Sequence, residues 1–316
     1  VIVSSVFHYT DAAGLLGILQ SDNLFATDYR FLNDPSEGQI LREMLLPLFE
    51  TEIAEFTPKL IAKGWLKKKI YEKDGLSVHR LHAEGLYRAL IQAVDNVSPF
   101  FVTSFCKHDD GSDAYSHGLL SQWRGYGGGG GFAIEFDEKE LDELMFAEQR
   151  TNAYAGVKSE SVRYKNHSTA FDPNHFKGLA GAMTRQIFEH VGIDATEVTG
   201  NKNIDAAVME FAKLAPFLKH SGFAEECEYR MVGICLRRTK MPRAEKREVK
   251  PIKFRARNGL LSPYIEFLGN TGGLPIKGVI VGPHAFQQRQ VDAVQMLAES
   301  YDLKLDIRRS ELPYRT

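Results

Sequence analysis

The sequence predicts an α+β fold: a mixed or mainly antiparallel central sheet with flanking helices and a helical insertion. Three observations carry this. Short β-rich runs recur along the chain, among them Val6–Thr10, Pro99–Cys106, Phe132–Asp137 and Lys277–Pro283. Stretches with apolar residues at helical spacing lie between them. The two kinds are mixed without the regular alternation that builds a parallel sheet. The 316 residues, 43% of them hydrophobic, read as one domain over 1–316 with the insertion at 138–220.

Each element follows from its own residues. After the first run, Thr10 or Asp11 caps a helix whose apolar face is Leu15, Leu16, Ile18 and Leu19. Leu24–Thr27 reads as extended. Leu32-Asn33-Asp34-Pro35-Ser36-Glu37 is a turn that starts a helix with Ile40, Leu41, Met44, Leu45, Leu48 and Phe49 on one face. Lysines crowd residues 63–80, a solvated face or connector. Residues 82–96 read as helix, and Pro99–Cys106 as a buried strand. Five glycines, Gly127–Gly131, lead into the strand Phe132–Asp137. A phosphate-binding glycine loop would lead into a helix, so this run is a connector. Helices are expected at 138–149, 175–193, 203–219 and 286–300. Strands are expected at Val157–Tyr164, Glu228–Leu236, Lys277–Pro283 and Leu303–Arg308, with Arg247–Phe254 pairing as a hairpin with Glu228–Leu236.

Net charge is −2 and the pI about 6.6, so no global basic field advertises nucleic acid, although local patches are compatible with it. The three cysteines have neither disulfide-framework nor zinc-ligand spacing, which points to a reduced, cytoplasmic protein without a metal. No apolar stretch approaches the roughly 20 residues that cross a bilayer, and no signal peptide is expected from Val1–Phe7, which lack a basic n-region and a long apolar h-region.

The motif richest in chemistry is Phe223-Ala224-Glu225-Glu226-Cys227-Glu228-Tyr229-Arg230, followed by an apolar run. Read as one strand, it projects Glu226, Glu228 and Arg230 from a single face. An active site that holds a ribose or a developing positive charge uses such a cluster. A surface ion pair on an edge strand is the plain structural alternative.

Several motifs in order resemble the bacterial domain of unknown function 2971 family. They are His8-Tyr9-Thr10, Leu32–Pro35 with Glu37, Thr103-Ser104-Phe105, Gln122-Trp123 with Tyr126, and Gly131–Phe136. Glu226–Arg230, Val281-Gly282-Pro283, and Ser310 with Pro313-Tyr314-Arg315 complete the series. This resemblance covers residues 6 to 315 and implies no activity. A more distant resemblance is to ADP-ribosyltransferases, with His8 as the early element, Thr103-Ser104 as the second, and Glu226-x-Glu228 as the late Glu-x-Glu. The early histidine and the late motif belong to different classes of those enzymes, so the pattern is a hybrid.

That second resemblance implies an NAD-dependent ADP-ribosyltransferase, toxin-like or phage-defence in character, modifying nucleic acid or protein and held in check by a cognate inhibitor protein. NAD would be substrate, and no metal is implied. Glu228 would stabilise the oxocarbenium-like ribose and hold its 2′-hydroxyl, while Glu226 would orient or deprotonate the acceptor. His8, Tyr9, Thr10, Thr103, Ser104, Tyr126 and Arg230 would contact the dinucleotide, with Arg124 or Arg230 neutralising the pyrophosphate. The alternative is a non-catalytic nucleotide-sensing or protein-interaction module of the same fold. A metal-dependent nuclease using Asp34, Glu37, Glu226 and Glu228 ranks last.

Overall fold

The computed structural model describes residues 4–32, 36–62, 64, 67–97, 99–126, 130–164, 211–241, 245–257, 259–269 and 272–313. It also describes positions 177, 178, 180, 181, 184 and 209. The fold is α+β around a ten-stranded, mostly antiparallel sheet. Its main path runs β12 (Asp306–Arg309), β11 (Ile276–Val281), β4 (Phe132–Asp137), β1 (Ser5–Thr10), β3 (Phe100–Lys107), β2 (Leu24–Asp28), β10 (Leu260–Phe267), β9 (Lys253–Arg257). The sheet forks at β3. β1 pairs with its Cys106 end and β2 with its Phe101 end, while β8 (Glu228–Cys235) pairs along its length and is followed by β5 (Tyr154–Ser161). The pairing of β11 with β12 is parallel.

Alternation along the strands sorts side chains onto two faces. Phe100 and Val102 of β3 and Val232 and Ile234 of β8 meet the long helices α2 (Ser36–Ala62) and α3 (Lys68–Val97) in one cluster. Further along that face, Phe7, Tyr9, Cys106, Ala133 and Ile280 surround Trp123. On the other face, Phe101, Phe105, Tyr229 and Met231 pack with Leu15, Ile18 and Leu19 of α1 (Ala12–Ser21). The helix over 138–151 adds Leu141 and Met145 to this layer, and the helix over 287–300 adds Val294. Asp11 caps α1 by accepting from the Gly14 amide at 2.8 Å.

Three expectations change. The hairpin partner of β9 is β10, and β8 pairs instead with β3 and β5. The closing pair Arg257–Leu260 leaves two residues, Asn258-Gly259, a hairpin signal that outranks simple proximity of two apolar runs. The helix expected through 219 ends at Leu214. Pro216 follows in a 3-10 turn, because proline cannot donate into a helix interior. Finally, α2 and α3 are far longer than their apolar stripes indicated, and α2 continues through Pro47 and Pro58. Most positions from 165 to 210, within the expected insertion, lie outside the described residues, as do Asn33-Asp34-Pro35 and Gly127–Gly129. Within the insertion span, β5 belongs to the main sheet.

Two motifs distant in sequence meet beside β11. The Gly282 amide donates to the Gly131 carbonyl at 2.9 Å, and Gly131 has a φ of 86° that only glycine adopts readily. The end of the glycine run is therefore a close backbone contact.

Candidate functional site

A polar island sits on the helix-covered face between the two apolar clusters there. Register sets its members: Ser104 lies opposite Arg230, and Cys106 opposite Glu228. Glu228 begins β8 and is buried. Its Oε1 accepts from Arg230 Nε at 2.7 Å. Its Oε2 accepts from Arg230 Nη2 at 3.1 Å and from Lys219 Nζ at 2.9 Å. The Ser104 hydroxyl, opposite Arg230 in the register, helps to hold the pKa of the same carboxylate down. Arg230 Nη1 also donates to the Pro216 carbonyl at 2.5 Å. Glu226 accepts from Lys219 Nζ at 2.6 Å, so one ammonium bridges both glutamates.

Glu226 does not share the strand. It ends a 3-10 turn over Ser221–Glu226, and Cys227 follows with a φ of 44° before β8 begins. The left-handed residue breaks the alternation that would have put both carboxylates on one face. The Cys227 carbonyl accepts from the Lys107 amide at 2.8 Å, which fixes the kink. Lys219 arrives on the short strand β7 (Leu218–Lys219), paired in parallel with β6 (Arg163–Tyr164). The Tyr164 hydroxyl accepts from the Glu228 amide at 2.8 Å, so the β6–β7 ribbon contacts the motif twice. Sequence reading missed Lys219 because it took this segment as the end of a helix. The break at Pro216 was the available signal.

Burial by itself would raise the pKa of Glu228. The charges of Arg230 and Lys219 outweigh it, and the pKa falls to about 2. Lys219 is disfavoured as a cation by burial, but Glu228 and Glu226 raise its pKa above the ordinary value. Burial, with the carboxylates of Glu228 and Glu226, pushes the pKa of the Cys106 thiol up, which favours the protonated form.

The other expected residues divide between the two faces. Ser104 and Arg230 lie with Glu228. Tyr9 shares that face, where its hydroxyl accepts from the Leu119 amide at 2.9 Å, bonds with His108 Nε2 at 2.9 Å, and its ring meets Trp123 edge-on. Tyr126 packs against the same Trp123 cluster. His8 and Thr103 point to the opposite face. The His8 ring meets Phe105, and its Nδ1 donates to the Ser104 carbonyl at 2.9 Å. Thr103 Oγ1 is buried with no hydrogen-bond partner among the described residues. Thr10 follows the alternation of His8, packing closely over Gly14. Arg124 is exposed on the helix over 120–126. The sheet therefore separates His8 from Glu228.

Among the described residues, no group of three or more metal-ligating side chains forms a cation site, and no helix is long and apolar enough to cross a membrane. Cys106, Cys227 and Cys235 are free thiols.

The fold and this cluster define an α+β protein built around a buried Glu228 and a half-buried Glu226, neutralised by Lys219 and Arg230. Residues 122–231, a span that contains Trp123, β4, β5, β7 and the glutamate motif, match the model of a family described as "Protein of unknown function (DUF2971)". No curated protein and no solved structure matched the chain.

Proposed function

We propose that this chain is a non-catalytic nucleotide-sensing module whose ligand rests against Glu226 and Phe223. The carrying observation is the state of Glu228: it is buried, with both oxygens already accepting from cations. A carboxylate that stabilises an oxocarbenium must meet the sugar directly. Detaching Glu228 from Arg230 and Lys219 would cost several kcal/mol, on the order of 3–5. Glu226 is better placed, being half-buried on a turn whose other residues reach solvent. A carboxylate accepts two adjacent hydroxyls well, which suits a ribose diol. Phe223, part-exposed with Lys219 Nζ 4.6 Å from its ring centroid, offers a surface for a base.

A second reading is NAD-dependent ADP-ribosyl transfer to nucleic acid or protein. It draws on the Glu226-x-Glu228 spacing and on the Ser104 hydroxyl at Glu228.

Calorimetry with NAD, ATP and GTP, alongside an assay for nicotinamide release, separates the two. The expected result is binding of at least one nucleotide, weakened about tenfold by Glu226→Gln, with NAD left intact. Nicotinamide release by the unaltered chain, abolished in a folded Glu228→Gln variant, would replace the sensing reading with the transferase. Failure of all three nucleotides to bind would remove the sensing reading.

A further inference from the structure

The stretch 237–257 carries ten Lys and Arg residues against two Glu, in a chain whose net charge is −2. It ends in β9, which among the described residues is the last strand of its branch of the sheet. Antiparallel geometry says which backbone groups are open. Arg257 and Leu260 close a two-residue hairpin and form a hydrogen-bonded pair, so bonding to β10 alternates through Arg255 and Lys253. Phe254 and Ala256 direct their amides and carbonyls outward. Pro263, which has no amide to give, lies opposite Phe254, as this alternation requires.

Side chains alternate on the same strand. Ile252, Phe254 and Leu261 share one face and are 49%, 60% and 65% exposed. Lys253 and Arg255 lie on the other face. There Lys253 pairs with Glu266 at 2.6 Å, and the Arg255 guanidinium lies 5.4 Å from Phe25 and 5.5 Å from Tyr264. Lysines on an edge strand ordinarily deter pairing. That role accounts for the cations but leaves exposed Ile252, Phe254 and Leu261 without a use.

We infer that β9 is a docking edge for an extended acidic segment of a partner protein, which adds to the sheet as a further strand. The chemistry of the partner follows from the alternation. Every second residue is apolar and lies over Ile252, Phe254 and Leu261, and the intervening residues are Asp or Glu facing Lys253 and Arg255. A second copy of this chain is the wrong occupant, because β9 against β9 sets cation against cation. Single-stranded nucleic acid suits the charge but makes no use of the open amides and carbonyls at Phe254 and Ala256.

The test is fluorescence anisotropy with a labelled peptide of about six residues alternating glutamate and valine. Two N-methylated forms of it carry methyl groups on odd or on even amides, and a single-stranded oligothymidine is run in parallel. The expected result is saturable peptide binding, retained by one N-methylated form and weakened about tenfold or more in the other. Ala256→Pro, which removes an outward amide, weakens binding to a similar degree. Phe254→Glu, which leaves the backbone untouched, weakens it through repulsion and lost apolar contact. Equal binding of both N-methylated peptides, no peptide binding, or binding of oligothymidine alone would each overturn strand addition.

Discussion

Arg230 is the residue on which the acidic motif depends. Its guanidinium spans both oxygens of Glu228 and the Pro216 carbonyl, a geometry suited to a planar fork and not to a point charge. Removing one partner of a buried pair leaves the other charge uncompensated. Arg230→Ala is therefore expected to destabilise the chain by about 3–5 kcal/mol in urea unfolding followed by circular dichroism. Arg230→Lys should recover part of that loss, because it restores charge without the fork. A change below about 1 kcal/mol for Arg230→Ala would show that the pair behaves as a surface ion pair does.

At the scale of elements, the contact between the glycine run and β11 is set by clearance. A Cβ on Gly282 would stand 2.5 Å from the Gly130 carbonyl and 2.9 Å from Trp123 Cε3. The carbonyl belongs to backbone and cannot swing aside as a side chain does. Gly282→Ala is expected to cost about 1–3 kcal/mol in thermal or urea unfolding. Gly125→Ala meets open space on a helix and should be neutral or stabilising. Equal effects of the two substitutions would sink the clearance argument. The same scale shows which local signals were strong. β3, β4 and β11 stood out as apolar runs bounded by turn residues. The pairing of β9 did not, since a strand exposed on both faces carries little periodic hydrophobic signal.

Across the whole molecule, buried carboxylates tie distant elements together. Glu228 joins β8 to β7. Glu135 on β4 accepts from Ser5 on β1 at 2.7 Å, from the Tyr115 hydroxyl at 2.9 Å, and pairs with Arg308 on β12. Glu148 pairs with Lys250 at 2.9 Å and accepts from the Leu268 amide. Acid should therefore unfold the chain in stages. His108 is held neutral by burial, its pKa lowered from 6.5 to about 4 despite Asp109. The unfolded chain binds the proton more readily, so stability is lost as pH falls from 6.5 towards 4. Glu228 has its pKa lowered from 4.5 to about 2, and its contribution is lost as pH falls through that lower window. Urea midpoints measured from pH 8 to pH 2 should decline through both windows, and His108→Gln should flatten the first. An unchanged profile in that variant would assign the first decline to other groups.

The sequence by itself determined the α+β class, most strands of the sheet and the acidic motif, because apolar periodicity and turn residues are local properties. It also located Glu226, Glu228 and Arg230 as chemically notable, since paired carboxylates beside an arginine need no partner to be noticed. Only the tertiary structure decided what those groups face. Lys219 reaches them through the β6–β7 ribbon, Cys227 turns Glu226 out of the strand, and the pleat of β1 and β3 sets His8 and Thr103 on the face opposite Glu228. Each of these depends on register between segments far apart in the chain. A shift of one residue inverts every side chain, and local sequence does not record which register the packed sheet adopts.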